Sequence, residues 1–397
     1  MPTSPVIVAA KRTPVGKFLG AFSRTPAPRI GSLAIGAVLG DAPDAKDHID
    51  ECIMGCVLQA GLGQNPARQA ALGAGLPHTL NAKTVNKVCG SGLEAVMTAA
   101  QSIKAGDNHA VIAGGFENMT LAPHLAYIRQ GVKFGPATML DHMDHDGLRC
   151  AFENWAMGHA AEHIAEKYAI TREDQDRLGA RSHQLAAAAW DKGYFDAEIV
   201  TLTGEQLGNR KAPGPEGGIQ RDEGIRVDST PETLAKLRPA FDQSGTVTAG
   251  NASQISDGAA ATIVMSAEKA GEIGIDPLCT VVSYHTAGVE PKDIFAAPIQ
   301  GVRGALDKAG WSIDDVDLFE INEAFAAQLL CNAKELGIDE DKLNICGGGV
   351  AIGHPIGASG ARTLVTLIHQ MIRVDAKKGV AALCLGGGNA VAMCIER

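Results

Sequence analysis

One pattern occurs twice along the chain, and it restricts the folds open to it. Cys89-Gly90-Ser91-Gly92 opens a segment in which Leu93, Val96, Met97, Ala100 and Ile103 recur at helical spacing. The apolar run Ala110–Ala113 then leads into Gly114-Gly115. Far downstream, Gly357-Ala358-Ser359-Gly360 opens a second helical pattern through Leu364, Leu367, Ile368, Met371 and Ile372. It is followed by the apolar run Val380–Leu385 and by Gly386-Gly387-Gly388. Ser-Gly, helix, strand, Gly-Gly thus appears in both halves, a sign of internal duplication. A chain of 397 residues is long for one core and suits a duplicated unit. Two similar α/β units predict mixed sheets that sandwich buried helices. The segment after Cys89, apolar around much of its girth, has the character of such a helix. Strands near Val6–Ala10 and around Val281-Val282 begin the two halves.

The stretch from Leu121 to Gly250 follows a different plan. It holds helical segments at Ala160–Tyr168 and Glu173–Trp190, and Thr171 followed by Asp174 has the form of a helix N-terminal cap. Between them run polar loops, among them Asn209–Gly218, rich in Gly and Pro. These loops are too long for simple connections and predict an insertion that covers a site and binds ligand.

Composition narrows the function. Lys and Arg number 35 against 45 Asp and Glu, for a formal net charge of −10. That balance disfavours nucleic acid as a partner, although a local basic cluster could hold the phosphates of a small ligand. With aromatics at 4% and 47 glycines, the core is expected to rest on Ala, Val, Ile and Leu, with helices in close approach. The opening MPTSPVIVAAKR is unlike a signal peptide, because basic residues follow its short apolar run. No apolar stretch approaches the roughly 20 residues of a membrane helix. The nine scattered cysteines then read as reduced thiols in the cytoplasm, most of them small core residues.

Four segments carry residues that could do chemistry. Cys89, at the start of a helix, is either a nucleophile stabilised by the helix N-terminus or a buried structural cysteine. His354 lies in the glycine-rich Gly347–Gly360; it is either a turn residue or a group that takes a proton from a thiol and donates to a carbonyl oxygen. Cys384 precedes Gly386-Gly387-Gly388, whose amides could face a developing oxyanion, but strand cysteines are more often packing residues. Asn322, beside Glu323, follows the apolar run Val316–Phe319 and either caps a helix or holds a water or carbonyl. Two further arrays read as structural. Cys52 and Cys56 lack a second pair with zinc spacing. His142 and His145, with Asp141, Asp144 and Asp146, read as a solvent-exposed polar loop. No metal site is expected.

Taken together, the segments resemble the thiolase family. Asn86-Lys87-Val88-Cys89-Gly90-Ser91-Gly92 is similar to its nucleophile motif, Asn322-Glu323-Ala324-Phe325-Ala326 to its NEAFA motif, Gly353–Gly360 to its GHPxGxSG motif and Cys384–Gly388 to its CxGGG motif. The likeness extends through Leu237–Phe241 and Thr246–Ser253, nearly end to end and in family order. The resemblance implies the thiolase fold: two similar α/β halves forming a five-layered αβαβα core with an inserted loop domain. The expected divisions are 1–120 plus 251–276 for the N-terminal half, 121–250 for the insertion, and 277–397 for the C-terminal half.

It also implies roles. Cys89 would be acylated. His354 would activate it and, with Asn322 acting through a water, polarise the second thioester. Cys384 would move the α-proton, and the amides of Cys89 and Gly386 would form an oxyanion hole. Arg226 would contact the adenine nucleotide of coenzyme A and Ser253 its pantetheine. Leu148, Met157, Phe241, Ala249, Ala324 and Phe325 would line the acyl and pantetheine channel. The implied reaction is a ping-pong acyl transfer: reversible Claisen condensation of two acetyl-CoA, or thiolytic cleavage of a 3-ketoacyl-CoA. Coenzyme A serves as substrate, with no permanently bound cofactor, in a homotetramer.

The loop from Met119 to Met157 resembles the biosynthetic, acetoacetyl-CoA branch. Departures from that branch are Ala156, where its members carry a His before the pocket Met, and Asn389-Ala390 after the glycines. Ala156 leads to the expectation of a roomier acyl pocket, and thus to an alternative reading as a fatty-acid β-oxidation thiolase with longer or branched substrates. A non-catalytic acyl-CoA-binding protein is the third reading; the intact four motifs argue against it. A ketoacyl synthase would lack Cys384, and a nucleotide-binding module would need a phosphate-binding lysine.

Overall fold

The computed structural model describes residues 3–209, 212 and 214–397, so part of the Gly- and Pro-rich loop at 209–218 lies outside the described residues. The strands are β1 (Pro5–Arg12), β2 (Gly16–Lys17), β3 (Glu51–Gly55), β4 (Asn81–Val85), β5 (Ala110–Asn118), β6 (His124–Leu125), β7 (Leu140–Asp141), β8 (Ser256–Ser266), β9 (Cys279–Gly288), β10 (Leu318–Ile321), β11 (Lys378–Leu385) and β12 (Asn389–Glu396). The principal helices among the described residues are α1 (Ala27–Asp41), α2 (Pro66–Gly73), α3 (Ser91–Ala105), α4 (Met157–Lys167), α5 (Arg172–Asp191), α6 (Gly204–Leu207), α7 (Pro231–Leu234), α8 (Ala267–Glu272), α9 (Ala297–Ala309), α10 (Ala326–Leu336), α11 (Gly349–Ile352) and α12 (Ser359–Val374).

Strand order makes the duplication explicit. One ten-stranded sheet runs β10-β11-β12-β9-β1-β8-β5-β3-β4, with β2 paired to β8. Its first part, β3-β5-β8-β1, has the pairing senses of β10-β11-β12-β9: parallel, antiparallel, antiparallel. Within the sheet the halves are joined where Val6 and Ile7 pair with Thr280 and Cys279. β4 is an added edge strand.

Three apolar cores separate five layers. α1 and α2 pack on one face of the first half-sheet. α3 and α12 lie between the half-sheets. α9 and α10 cover the outer face of the second. Strands covered on both faces read as continuous apolar runs, and every residue of β5 and β8 is buried. α12 buries all of Ser359–Ile368, including the polar Arg362, Thr363 and Thr366. α3 and α12 touch through the two Ser-Gly pairs. A side chain at Gly92 would come within 2.7 Å of the Ala361 amide nitrogen, and one at Gly360 would collide with the Leu93 backbone.

The chain leaves the sheet at Asn118 and re-enters it at Ser256. The excursion contains the β6–β7 hairpin, α4, α5 and the short α6 and α7. Thr171 and Asp174 form a reciprocal capping box at α5, as their spacing predicts.

Candidate active site

A cavity of about 340 Å³ opens where the inner ends of both halves meet the insertion. Cys89, His354 and Cys384 all line it, so three segments remote in sequence converge on one apolar chamber.

Cys89 sits on a tight turn two residues before α3. Val88 adopts φ 48°, an unusual conformation for a β-branched residue, and Ser91 closes the turn. The Ser91 hydroxyl donates to the Val88 carbonyl (2.6 Å) and accepts from the Lys87 amide (2.8 Å). At Gly90 a side chain would strike Leu385, which locks this turn to the end of β11 and so brings Cys384 and Gly386 to it. Burial pushes the Cys89 thiol up to about 12, against hydrogen bonds from the Gly386 and Cys89 amides that favour ionisation. Burial pushes Cys384 up as well, reinforced by the neighbouring Cys89.

His354 is buried in the loop between α11 and α12. Its amide donates to Ser256 Oγ (3.2 Å). Nδ1 lies 2.6 Å from Ser359 Oγ, and that hydroxyl donates to the Pro355 carbonyl (2.8 Å). The chain is satisfied by Nδ1–H donating to Ser359, which leaves the Nε2 lone pair free; this tautomer is assigned from the network. Burial, with Arg362 nearby, lowers His354 to about 3, so the imidazole is neutral.

Asn322 is not a helix cap. α10 begins later, at Ala326, with Phe325 extended at its N-cap, and Asn322–Ala324 connect it to the end of β10. The Asn322 amide instead lies 3.4 Å from His354 Nδ1, and its Oδ1 accepts from Arg362 (3.3 Å). Arg362 is itself paired with buried Glu320 (3.1 Å). Glu323 anchors the glycine loop by accepting from Ser182 (2.6 Å), Asn344 (3.0 Å) and the Val350 amide (3.1 Å).

Of the other predicted residues, Ser253, Leu148, Met157, Phe241, Ala249, Ala324 and Phe325 line the cavity. Arg226 is exposed and lies off the wall. Its loop is tethered to the site through Gln254, which donates to the Gly224 and Val350 carbonyls (2.8 and 3.1 Å). The reading of His142 as part of an exposed loop is also corrected. His142 is 5% exposed, with Nε2 accepting from the Ala60 amide (3.3 Å) and Nδ1 facing Asp146; only its neighbours His145 and Asp146 are open to solvent. Among the described residues no cluster of potential metal ligands exists.

Sequence reasoning missed Met119, Gln254, Phe295 and Ile356 on the wall, and the buried carboxyl of Glu117 behind it. Glu117 had a signal: an acid ending the apolar run Ala110–Phe116 is costly to bury and so has a reason to be there.

Two half-sheets of matched order around paired buried helices, with a cysteine pair and a histidine at their junction, define the class. Residues 5–268 match the thiolase N-terminal domain and residues 275–397 the thiolase C-terminal domain. The chain belongs to the thiolase family, a family of acyltransferases, and has its fold. It is 51% identical over 396 residues to an acetyl-CoA acetyltransferase of Cupriavidus necator, covering 100% of both chains. It is 48% identical over 394 residues to a cytosolic acetyl-CoA acetyltransferase of Rattus norvegicus, covering 99% of this chain and 98% of that one. The crystal structure of the Bacillus anthracis acetyl-CoA acetyltransferase superposes with a TM-score of 0.94 at 41% identity, covering 99% of this chain and 98% of that chain.

Proposed function

We propose that the chain catalyses reversible acyl transfer between two acetyl-CoA molecules and acetoacetyl-CoA plus coenzyme A, through an acyl-cysteine. The observation that carries this reading is the convergence of Cys89, His354 and Cys384 on one apolar cavity, with the Gly386 amide at the Cys89 sulfur. Full-length similarity to acetyl-CoA acetyltransferases supports it.

The residues suggest how the protons move. His354 Nε2 takes the proton of Cys89, and the thiolate attacks the thioester carbonyl. The oxyanion is held by the Cys89 and Gly386 amides, each such donor being worth about 3–4 kcal/mol. The coenzyme A sulfur leaves with the proton of Cys384. Cys384, now a thiolate, takes an α-proton from a second acetyl-CoA, whose enolate oxygen faces His354 and Asn322. The new C–C bond forms as the bond to Cys89 breaks, and His354 returns its proton to Cys89. Both thiols are held protonated at rest by burial, which suits this sequence.

Coenzyme A is read as a substrate that passes through, its pantetheine beside Ser253, Ala249 and Phe241 and its nucleotide toward Arg226. The divisions 1–120 plus 251–276, 121–250 and 277–397 fit the excursion between β5 and β8. A homotetramer is read from the β6–β7 hairpin, which leaves Tyr127, Ile128, Phe134 and Met139 exposed. A cytoplasmic location is read from nine cysteines, all unpaired. Ala156 on the cavity wall favours a second reading, acceptance of longer or branched 3-ketoacyl chains.

The test is coenzyme A-dependent loss of acetoacetyl-CoA absorbance, repeated with 3-ketohexanoyl- and 3-ketodecanoyl-CoA. Cleavage of acetoacetyl-CoA is expected. Cleavage of that substrate alone removes the longer-chain reading, and cleavage of none removes the enzyme assignment.

A further inference from the structure

A buried carboxyl with no cation for a partner stands beside the site. Glu117, penultimate in β5, is fully enclosed. Its Oε2 accepts from the amides of Val57 (3.0 Å) and Gly357 (3.0 Å), its Oε1 from the amide of Leu58 (3.2 Å), and Cys56 Sγ donates to Oε1 at 3.6 Å. Among the described residues none of these partners carries positive charge. Enclosing a carboxylate on amides alone is expensive, and burial accordingly pushes Glu117 up to about 7 against three opposing N–H bonds.

Those partners belong to the segments that must be in register for the reaction. Gly357 lies three residues beyond His354. Its loop presses so closely on β5 that a side chain at Gly357 would come within 2.7 Å of Glu117 Oε2 and of the Phe116 carbonyl. Val57 and Leu58 follow β3 and pack with Ile356 and Cys89. β3 also abuts the nucleophile turn, where a side chain at Gly55 would come within 2.5 Å of the Ser91 backbone. The charge of Glu117 acts on Cys89, opposing its ionisation. The titratable groups around it are Cys56 after β3, Cys89 on the turn, His354 on its own loop, and Asp257 on β8, next to the Gly258 that pairs with Glu117.

We propose that Glu117 is a positioning residue for the acyl transfer: it holds the His354 loop and the loop after β3 in register with the Cys89 turn. The inference rests on the reading of Cys89 as nucleophile, so the test reads the thiol directly as well as turnover.

Two variants separate charge from reach. Glu117→Gln keeps the length and removes the charge, while its amide group faces N–H donors. Glu117→Asp keeps the charge and shortens the arm. Alkylation of Cys89 by iodoacetamide at a fixed pH, followed by peptide mass, reads the nucleophile directly; steady-state thiolysis gives kcat and KM. kcat is expected to fall by about 10-fold to 100-fold in both variants, with KM little changed, because a misplacement near 1 Å has that effect. Cys89 is expected to stay open to alkylation in both, so that the fall in kcat reports register and not a lost thiol. Wild-type kcat in both, or a raised KM with kcat unchanged, overturns the proposal. If neither variant folds, Cys56→Ala, which removes one donor to Glu117 Oε1, is expected to lower kcat with KM unchanged. Wild-type kcat there also contradicts the proposal. Failure of wild-type Cys89 to react at all would instead remove the nucleophile reading.

Discussion

At Cys89 two effects oppose one another, and burial prevails. Enclosure favours the thiol, while the Gly386 and Cys89 amides favour the thiolate, and the outcome is a thiol near 12 beside an imidazole near 3. The resting pair is therefore neutral rather than an ion pair. The expected alkylation rate of Cys89 climbs steadily with pH through the neutral and mildly alkaline range. A plateau near neutrality, seen in the same peptide-mass measurement, would mean a preformed thiolate. The sign for His354 is also fixed: its folded value lies below the ordinary 6.5, so it stays neutral as pH falls until about 3. Activity lost between pH 6.5 and 5 should thus persist unchanged in a variant that alters only the surroundings of His354, such as Ser359→Ala. A shift of the acid limb in that variant would show that His354 sets it. Motifs made Cys89, His354, Cys384 and Asn322 legible because each is a reactive type in a glycine-rich or strand-end setting. Glu117 showed only as an acid at the end of an apolar run; its partners, three backbone amides and the Cys56 thiol, carry no sequence signature.

Among the elements, the long periodic helices were legible and the start of α10 was not. α12 begins at Ser359 and α3 at Ser91, each at its Ser-Gly pair, so Cys89 falls just before the helix. Residues 86–90 form a turn there because Ser91 bonds Val88 and Lys87. Asn322 could have been a cap, yet α10 starts only at Ala326, with Phe325 at its N-cap. The crossing of α3 and α12 depends on the absence of a side chain at Gly360. Alanine there gains about 1 kcal/mol of helix propensity. The collision with Leu93 is expected to outweigh this, since overpacking a tight core costs about 1–3 kcal/mol. Denaturant unfolding of Gly360→Ala should therefore show a net loss of stability; a gain would mean that the helices can separate without penalty. Thr171→Ala, which removes the α5 capping box, is expected to lose about 1 kcal/mol in the same assay.

For the whole molecule, the repeated Ser-Gly and Gly-Gly pattern disclosed the duplication, and the matched strand orders carry it into three dimensions. Strand order itself was not legible, because pairing is settled by contacts hundreds of residues apart, such as Arg12 with Ala260. Nor did the sequence disclose the buried network in which Arg12 bonds both Glu198 (2.6 Å) and Asp222 (2.7 Å), joining β1 to the insertion. Truncating Arg12 to Met would leave two buried carboxylates unpaired and is expected to cost about 3–5 kcal/mol, read by the same unfolding curves. The hairpin is where assembly is proposed. Phe134→Asp is expected to yield a smaller particle by light scattering, with the fold intact by circular dichroism; an unchanged mass would remove the hairpin from the interface.

In the proposed reaction one cysteine carries the acyl group and the other moves the proton. The most direct measurement is the mass of the Cys89 peptide after incubating Cys384→Ala and Cys89→Ala with acetyl-CoA, alongside the condensation rate. An acetyl group is expected on Cys89 in Cys384→Ala, with condensation slowed by about 10²–10⁴-fold, and none in Cys89→Ala. An acetyl group on Cys384 in place of Cys89, or condensation at the wild-type rate without Cys384, would contradict it.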